Sequence, residues 1–326
     1  MKLLITGGLG FIGSNFILKL LEKFPDYQIT NLDDELYGSN HQNVLQVKNL
    51  NNYEFVKGNI TDNSIVEKLV SKVDIVINFA AESHVDRSIS NAKPFIDSNI
   101  LGVFTILENI KKYKKKLVHI STDEVFGSLE SESASEDYKL NPSSPYASSK
   151  ASAELLINSY FKTYDCEVII TRCTNNYGPR QFPEKLIPKT IIRAELDKSI
   201  PVYGTGKNIR DWIFVDDHCS AIEMIIHKGT EGESYNISAS NEIDNITIIE
   251  KILSFLGKPL DLINFVDDRP GHDFRYSLDS SKIRSLGWKP KTSFEEGIKK
   301  TIEWYQKNKL WWNDIDRNIL TETPWK

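Results

Sequence analysis

The 326-residue chain has few cysteines, little net charge and no long apolar run. Its three cysteines, Cys166, Cys173 and Cys219, are odd in number and widely spaced, which suits neither a disulfide framework nor a zinc site. A net charge of −5 disfavours nucleic acid as a partner, and no apolar stretch approaches the length of a membrane span. The chain opens on a strand pattern with no basic and apolar leader. We therefore expect a cytoplasmic globular protein with reduced thiols, no metal and no membrane partner.

Short β-rich runs alternate with helical patterns through the first half of the chain. This rhythm predicts an α/β fold, a doubly wound parallel sheet of the Rossmann type with helices on both faces. Apolar residues recur at helical spacing in 95–110 and again in 153–161. The six predicted strands are 3–6, 28–32, 53–57, 74–79, 117–120 and 168–172.

The texture of the chain changes after Tyr177, where glycine and proline become frequent. A smaller C-terminal lobe is expected to begin there. Residues 211–227 and 234–237 look sheet-like again, which predicts that the chain returns to the first domain before it ends in the second. The predicted boundaries are 1–177 with 207–238 for the first domain, and 178–206 with 239–326 for the second.

The first strand runs into Gly7, Gly10 and Gly13, and a helical pattern begins at Ser14. Glycine permits a tight turn and a close backbone approach, and a helix N-terminus offers N–H groups and a positive dipole, so a dinucleotide phosphate fits there. Asp33 ends the second strand, twenty positions after Gly13. An acidic side chain at that place accepts from ribose hydroxyls and repels a 2′-phosphate. The pattern therefore predicts NAD rather than NADP as the cofactor.

Tyr146 and Lys150 are a candidate pair for proton transfer, because they share one face of a helix that begins after Pro145. A tyrosine whose pKa is lowered by a nearby lysine can take a proton from a substrate hydroxyl as hydride leaves. The same spacing recurs at Tyr53 with Lys57, Tyr203 with Lys207 and Tyr305 with Lys309. Position favours Tyr146, because only this tyrosine follows the strand that brings 121–124 to the carboxyl edge of the sheet.

Seven motifs cover nearly the whole chain: TGGLGFIG (6–13), AAESHVDRS (80–88), STDEVFG (121–127), PYASSKA (145–151), RCTNNYGPRQFPEKLIP (172–188), RDWIFVDDH (210–218) and DRPGHDFRY (268–276). In these motifs the chain resembles the dTDP-glucose 4,6-dehydratases of the extended short-chain dehydrogenase/reductase family. The Thr-Asp-Glu triplet is the most specific part, because relatives that only epimerise or decarboxylate usually lack both carboxylates. The resemblance implies an NAD-dependent hydro-lyase of deoxysugar biosynthesis, such as that of rhamnose, with dTDP-glucose as substrate. It also implies a homodimer formed through the helices at 95–110 and 146–164.

The resemblance assigns a role to each catalytic group. Tyr146 would deprotonate the hydroxyl at carbon 4, Glu124 would remove the proton at carbon 5, and Asp123 would protonate the departing hydroxyl at carbon 6. Two adjacent carboxyls in a dry site cannot both stay charged cheaply, so one pKa rises and that group becomes the acid. Both can reach the sugar only if the backbone leaves strand geometry there, because successive strand side chains point to opposite faces. From the residues alone, a turn-capping role for both carboxylates stays open.

The remaining site residues are carried over from the family by position. Lys150 and Thr122 complete the catalytic group. The cofactor group comprises Gly7, Gly10, Phe11, Ile12, Gly13, Asp33, Asn59, Ile60, Ala80, Ala81, Tyr146, Lys150 and Asn176. The substrate group comprises His84, Thr122, Asn175, Lys185, Leu186, Pro201, Tyr203, Arg210, Asn245, Arg269 and His272. Lysine and arginine suit a diphosphate because they supply charge and, for arginine, bidentate donors, and Tyr203 would stack on the base.

Three places depart from the family pattern. Asn59 stands where an aspartate usually meets adenine, although its amide oxygen can still accept a hydrogen bond. Phe126 replaces a common tyrosine, and 238–244 diverges before Asn245. The sequence leaves the nucleotide open among thymine, uracil and cytosine, so UDP- or CDP-glucose is an alternative substrate. A nucleotide-sugar 4-epimerase or decarboxylase and a catalytically inactive dinucleotide sensor are the competing functions.

Overall fold

The strands and helices come from a computed structural model that describes residues 1–313 and Leu320. In these residues the strands are β1 (Lys2–Thr6), β2 (Gln28–Asp33), β3 (Tyr53–Lys57), β4 (Ile75–Asn78), β5 (Lys116–Thr122), β6 (Val168–Cys173), β7 (Asn175–Tyr177), β8 (Ile200–Tyr203), β9 (Ile209–Phe214), β10 (Ser234–Ile237), β11 (Glu242–Asp244) and β12 (Ile263–Val266). The α-helices are α1 (Phe11–Lys23), α2 (Asn63–Val70), α3 (Val85–Ser90), α4 (Lys93–Ile96), α5 (Val103–Tyr113), α6 (Pro145–Tyr164), α7 (Leu186–Glu195), α8 (Val215–Lys228), α9 (Asn245–Leu256), α10 (Ser281–Ser285), α11 (Phe294–Lys307) and α12 (Lys309–Asn313).

Seven strands form one parallel sheet in the order β10-β6-β5-β4-β1-β2-β3. The six predicted strands and the doubly wound arrangement are confirmed. The chain moves from β1 outward to β2 and β3, then crosses back to place β4 on the other side of β1. Connections that diverge in this way leave a crevice at the carboxyl ends of β1 and β4, which is where ligands bind in such sheets.

Side chains of β1 show how the sheet is covered on both faces. Leu3 and Ile5 pack with apolar residues of α1 and α8, including Phe16 and Ile222. Leu4 points the other way and joins a second cluster built from α2, α5 and α6. This alternation is the period-two pattern of a strand buried on both sides.

The sheet-like reading of 211–227 is wrong for most of its length. Only the first part belongs to a strand, β9, and the rest forms helix α8. Val215, Cys219, Ile222 and Ile226 are buried at helical spacing, and the aromatic and β-branched run before them hid this period. Strand β9 pairs with β7 and β11 in a separate three-stranded sheet, whereas β10 joins the central sheet beside β6 as expected.

Apart from the two clusters that cover the central sheet, another apolar core lies around β9. Trp212 and Phe214 pack there with Ile191 of α7, Ile252 of α9 and Ile298 of α11. A parallel pair, β8 with β12, lies beside this core. The predicted domain boundaries remain a prediction.

The helix predicted at 95–110 is interrupted. Helix α4 leads into a π-helical turn, Asp97–Gly102, which continues into α5. Gly102 lies against Ile60, and a Cβ added at Gly102 would come within 2.3 Å of the Ile60 Cδ1. Turns of this kind are frequent at functional sites, and Asp97 and Ser98 do face the cavity described below.

The cysteines are free thiols, and all three are buried. Within 1–313 and Leu320, no helix combines the length and apolar character that a membrane span requires. The same residues contain no group of three or more His, Cys, Asp or Glu side chains arranged to hold a metal ion.

Candidate active site

A cavity of ≈ 660 Å³ opens at the carboxyl ends of the central strands. Every residue of the predicted cofactor and catalytic groups lines it. Four members of the substrate group also line it, namely His84, Thr122, Asn175 and Lys185. The structure therefore brings together side chains that come from the ends of β1, β2, β4 and β5 and from the start of α6.

The glycine turn after β1 leaves space for a ligand at the N-terminus of α1. Gly7 has a φ of +70°, and a Cβ there would lie 2.6 Å from the backbone nitrogen of Ala80. A Cβ at Gly13 would lie 2.5 Å from the Gly7 carbonyl oxygen. Helix α1 begins at Phe11, three residues before the expected start, and no side chain caps it. Its first N–H groups can therefore donate hydrogen bonds to an anion such as a diphosphate.

Asp33 ends β2 and faces the cavity, as predicted. Its carboxylate accepts hydrogen bonds from the backbone nitrogens of Leu9 (3.0 Å) and Glu35 (2.9 Å) and from the Ser39 hydroxyl (2.8 Å). Burial raises its pKa above the ordinary value. A carboxylate has about four acceptor sites, so one remains for a ribose hydroxyl.

Asn59 lines the cavity but is already hydrogen-bonded on both sides of its amide. The amide oxygen accepts from the Thr61 backbone nitrogen (2.9 Å) and hydroxyl (2.8 Å). The amide nitrogen donates to Asp34 (2.8 Å). An adenine amine would therefore have to share this oxygen with Thr61, which makes Asn59 a weaker acceptor than the sequence suggests.

The two carboxyls follow directly after β5, where the strand ends at Thr122 and Asp123–Phe126 forms a 3₁₀ turn. The Thr122 hydroxyl accepts from the Glu124 backbone nitrogen (3.3 Å) and donates to the Asp123 carboxyl (3.1 Å). The backbone thus leaves strand geometry at the required place. Both Asp123 and Glu124 line the cavity, and the side chain that caps the turn is that of Thr122.

Different neighbours separate the two carboxyls electrostatically. Burial, followed by the Glu124 charge, raises the pKa of Asp123 well above its ordinary value. Burial also raises the pKa of Glu124, but the positive charges of Arg269 and Lys185 oppose this rise, and Arg210 opposes the rise at both carboxyls. The surroundings therefore favour a proton on the Asp123 carboxyl more strongly than on Glu124.

Tyr146 and Lys150 are both buried near the start of α6. The Lys150 amine donates to the Ile120 carbonyl of β5 (2.6 Å), and burial lowers its pKa to about 8. Burial, followed by the Glu124 charge, raises the pKa of Tyr146 well above its ordinary value. The expectation that lysine lowers this pKa is therefore wrong for the chain alone, because the buried amine is directed at β5.

Known proteins with similar sequences identify the family of this chain. The family model described as GDP-mannose 4,6 dehydratase matches residues 4–301. The chain belongs to this family. Its relatives include the low-salt glycan biosynthesis protein Agl12 of Haloferax volcanii, 45% identical over 94% of this chain and 98% of that protein. They also include the dTDP-glucose 4,6-dehydratase of Streptomyces niveus, 43% identical over 97% of this chain and 96% of that protein.

A solved structure of a related protein matches nearly the whole chain. DesIV, the dTDP-glucose 4,6-dehydratase of Streptomyces venezuelae, was crystallised with NAD and TYD bound, and it superposes with a TM-score of 0.94. It is 43% identical to this chain, and the match covers 96% of this chain and 99% of DesIV. The family resemblance in the sequence motifs is confirmed.

Seven residues that the dehydratase pattern assigns to the substrate do not line the cavity: Leu186, Pro201, Tyr203, Arg210, Asn245, Arg269 and His272. Two of them are nevertheless held next to the site by Asp86, a buried residue of α3. The Asp86 carboxylate accepts from the Arg269 guanidinium (2.7 Å) and the Tyr203 hydroxyl (3.4 Å). Arg210 donates to the carbonyls of Ile209, Asp273 and Phe274. Both guanidiniums are thus fixed in place by protein groups.

Three residues of this dehydratase-type site were missed by the sequence analysis. The Tyr37 hydroxyl donates to Glu184 (2.6 Å), and the Arg87 guanidinium lies 3.7 Å from the centre of the Tyr37 ring. Tyr37, Arg87 and Glu184 all line the cavity. Their contacts join the loop after β2, helix α3 and the segment before α7. Arg87 and Glu184 lie inside quoted motifs, so those motifs carried a signal that was not used.

We predict that Asp33→Asn lowers the preference for NAD over NADP by at least about tenfold, because the charge that repels a 2′-phosphate is gone while an acceptor remains. Calorimetric titration with each dinucleotide measures both affinities. Asp26→Asn removes an equal charge from an exposed position before β2 and should leave the preference unchanged. Equal preference in Asp33→Asn and the wild type would show that the glycine turn has been misread.

Proposed function

We propose that this protein is an NAD-dependent dTDP-glucose 4,6-dehydratase that forms dTDP-4-keto-6-deoxyglucose and water. The observation that carries the proposal is the pair Asp123 and Glu124, which line one cavity with Tyr146 and whose neighbours favour an acid at Asp123 and a base at Glu124. Oxidation alone needs only a base such as Tyr146. Removal of water needs a second base and an acid.

The residues present fit NAD. The turn formed by Gly7, Gly10 and Gly13 has room for a diphosphate that a Cβ would fill, and Asp33 has an acceptor site for the ribose. When bound, NAD⁺ would supply a hydride acceptor for oxidation at carbon 4, a hydride donor for reduction at carbon 6 and a positive charge that favours a tyrosinate. The part of the cavity next to the glycine turn and Asp33 would hold the cofactor, and the proton transfers fall to the side chains around it.

Tyr146 begins the cycle as the base that takes the proton of the 4-hydroxyl. Its high pKa in the chain alone means that the tyrosinate forms only with help from positive charge nearby. Lys150 supplies such a charge from the same helix face when it is in the ammonium form. A Thr122 hydrogen bond also lowers the Tyr146 pKa.

Glu124 and Asp123 carry out the elimination. A keto group at carbon 4 acidifies the proton on carbon 5, and Glu124 takes that proton. Asp123 donates its own proton to the hydroxyl on carbon 6, which leaves as water. The cations near Glu124 favour its ionised form, and burial next to Glu124 favours the protonated form of Asp123, so each starts in the state that the step requires.

A 4-epimerase or decarboxylase is the enzymatic alternative, and an inactive dinucleotide sensor is the alternative without chemistry. Neither needs a protonated and an ionised carboxyl side by side. Incubation with dTDP-glucose separates all three, because a 4-keto-6-deoxy sugar, a 4-epimer and unchanged substrate have different masses or spectra. Parallel reactions with UDP- and CDP-glucose test the nucleotide, and we expect the highest kcat/KM with dTDP-glucose. Formation of only the 4-epimer would contradict the proposal.

A homodimer in the cytoplasm is part of the same proposal. Ile96, Phe104 and Leu155 lie on neighbouring helices, and each is at least 45% exposed although large and apolar. An exposed apolar strip of this kind suits a second copy of the chain. The three free buried thiols are consistent with a reducing compartment.

Phe104→Glu should therefore shift the protein to the monomer, because it places a charge in the proposed helical interface. Sedimentation velocity measures the change. Phe255→Glu is a matched control. Phe255 is 48% exposed, but it lies on α9, which packs in the apolar core around β9 and away from the proposed interface. A wild-type monomer, or a Phe104→Glu variant that stays dimeric, would overturn this part of the proposal.

Asp123→Asn and Glu124→Gln should slow elimination by at least about 100-fold while initial oxidation continues, because each variant lacks one proton-transfer group. Single-turnover absorbance should then show reduced cofactor that persists, together with a 4-keto sugar that keeps its 6-hydroxyl. Tyr146→Phe is the contrasting variant and should fail at oxidation. If the carboxyl variants also fail at oxidation, the division of roles is wrong.

A further inference from the structure

A chain of buried hydrogen bonds lies behind the cavity and ends at Lys150. The Thr6 hydroxyl is 2.5 Å from the Asn78 amide oxygen, and the Asn78 amide nitrogen is 3.0 Å from His119 Nδ1. His119 Nε2 is 3.3 Å from the Lys150 amine, which also donates to the Ile120 carbonyl (2.6 Å). The chain thus runs from the end of β1 through β4 and β5 to α6.

Of the side chains in this series of hydrogen bonds, from Thr6 to Lys150, His119 has the one titratable ring. The catalytic steps above do not use it. It is fully buried and does not line the cavity. Burial, followed by the Lys150 charge, lowers its pKa well below the ordinary value, so the ring stays neutral. A neutral ring has one donor and one acceptor nitrogen, and the tautomer decides which of them faces Lys150.

The two tautomers fit two states of the lysine. In the observed arrangement the Asn78 amide donates to Nδ1, so Nε2 carries the hydrogen and donates to a neutral Lys150 amine. An ammonium would instead face that hydrogen as a second donor. Rotation of the Asn78 amide and a shift of the ring proton to Nδ1 turn Nε2 into an acceptor for the ammonium.

We propose that His119 is a positioning residue for Lys150, which holds the amine at the end of β5 and, by exchange of tautomer, stabilises the ammonium that Tyr146 needs. This inference rests on the proposed roles of Tyr146 and Lys150. His119 touches neither the cavity nor a reacting atom, so it acts only through the lysine.

Other ionisable groups also lie around the Lys150 amine. On α6, Glu154 is fully buried and is held by Arg172 of β6 (2.7 Å). On β6, burial raises the thiol pKa of Cys173 to about 12. Tyr146 has a raised pKa and is protonated in the chain alone. Among the described residues that face the amine, His119 is the group whose hydrogen bond to it can reverse direction.

Two amide substitutions separate the two bonds of the ring. In His119→Gln the amide reaches about as far as Nε2, so the contact with Lys150 is retained and that with Asn78 is lost. In His119→Asn the amide reaches only as far as Nδ1, so the contact with Asn78 is retained and that with Lys150 is lost. The two variants are matched in polarity, and thermal unfolding checks that both are folded.

The first measurement is an NMR titration of the full chain without substrate, with labelled lysine and histidine side chains. In the wild type, the Lys150 midpoint should lie near pH 8, and the His119 nitrogens should exchange donor and acceptor character at the same midpoint. The Lys150 midpoint should fall by about one pH unit or more in His119→Asn and stay near the wild-type value in His119→Gln. A His119 tautomer that stays constant through the Lys150 titration would overturn the proposal, even if neither variant folds.

The second measurement is the pH dependence of sugar oxidation in a single turnover. Its alkaline limb should move to lower pH in His119→Asn, with about a tenfold loss of rate on that limb for each pH unit, and should stay in place in His119→Gln. Equal behaviour of the two variants would leave His119 with a merely structural role and overturn the proposal. If the wild type does not turn over dTDP-glucose, the proposed function fails, and the NMR titration still decides the role of His119.

Discussion

The placement of two adjacent carboxyl groups in one cavity at the end of β5 is the constraint on which the rest of the site depends. Asp123 is buried and Glu124 is half-buried beside it, so both cannot be charged without a penalty, and their surroundings decide which one is ionised. The turn capped by Thr122 makes this placement possible, because it brings both side chains to the same cavity. One proton shared unequally between neighbours then supplies an acid and a base at once.

Fixed positive charges around the carboxyls maintain that unequal sharing. Arg269, the charge that most opposes the rise in the Glu124 pKa, is anchored by Asp86, from a segment 183 positions earlier in the chain. Arg210, which lowers the pKa of both carboxyls, is anchored by backbone carbonyls. Charges held by protein groups need no rearrangement when a substrate arrives, which is the condition for electrostatic catalysis in a low-dielectric site. The separation of the pKa values of Asp123 and Glu124 thus depends on contacts between the central sheet and the C-terminal segments.

Local patterns predicted the parts of this arrangement that depend on neighbours in sequence. The turn at Gly7, the acid at Asp33 and the doubly wound parallel sheet follow from glycine spacing and hydrophobic period, and the structure has them as expected. The direction of the Tyr146 pKa was not predictable, because it depends on burial by several distant elements. The aim of the Lys150 amine toward β5 and the Asp86 anchor were missed for the same reason, since each joins segments that only the fold brings together.

Transfer of label within the sugar tests the central claim most directly, because it follows oxidation and elimination in one molecule. With dTDP-glucose deuterated at carbon 4, the account predicts a 4-keto-6-deoxy product that carries the deuterium at carbon 6. In heavy water, the proton exchanged through Glu124 should label carbon 5, and no net NADH should build up. Deuterium that leaves carbon 4 without appearing at carbon 6, or stoichiometric release of NADH, would make this protein an ordinary dehydrogenase and contradict the account.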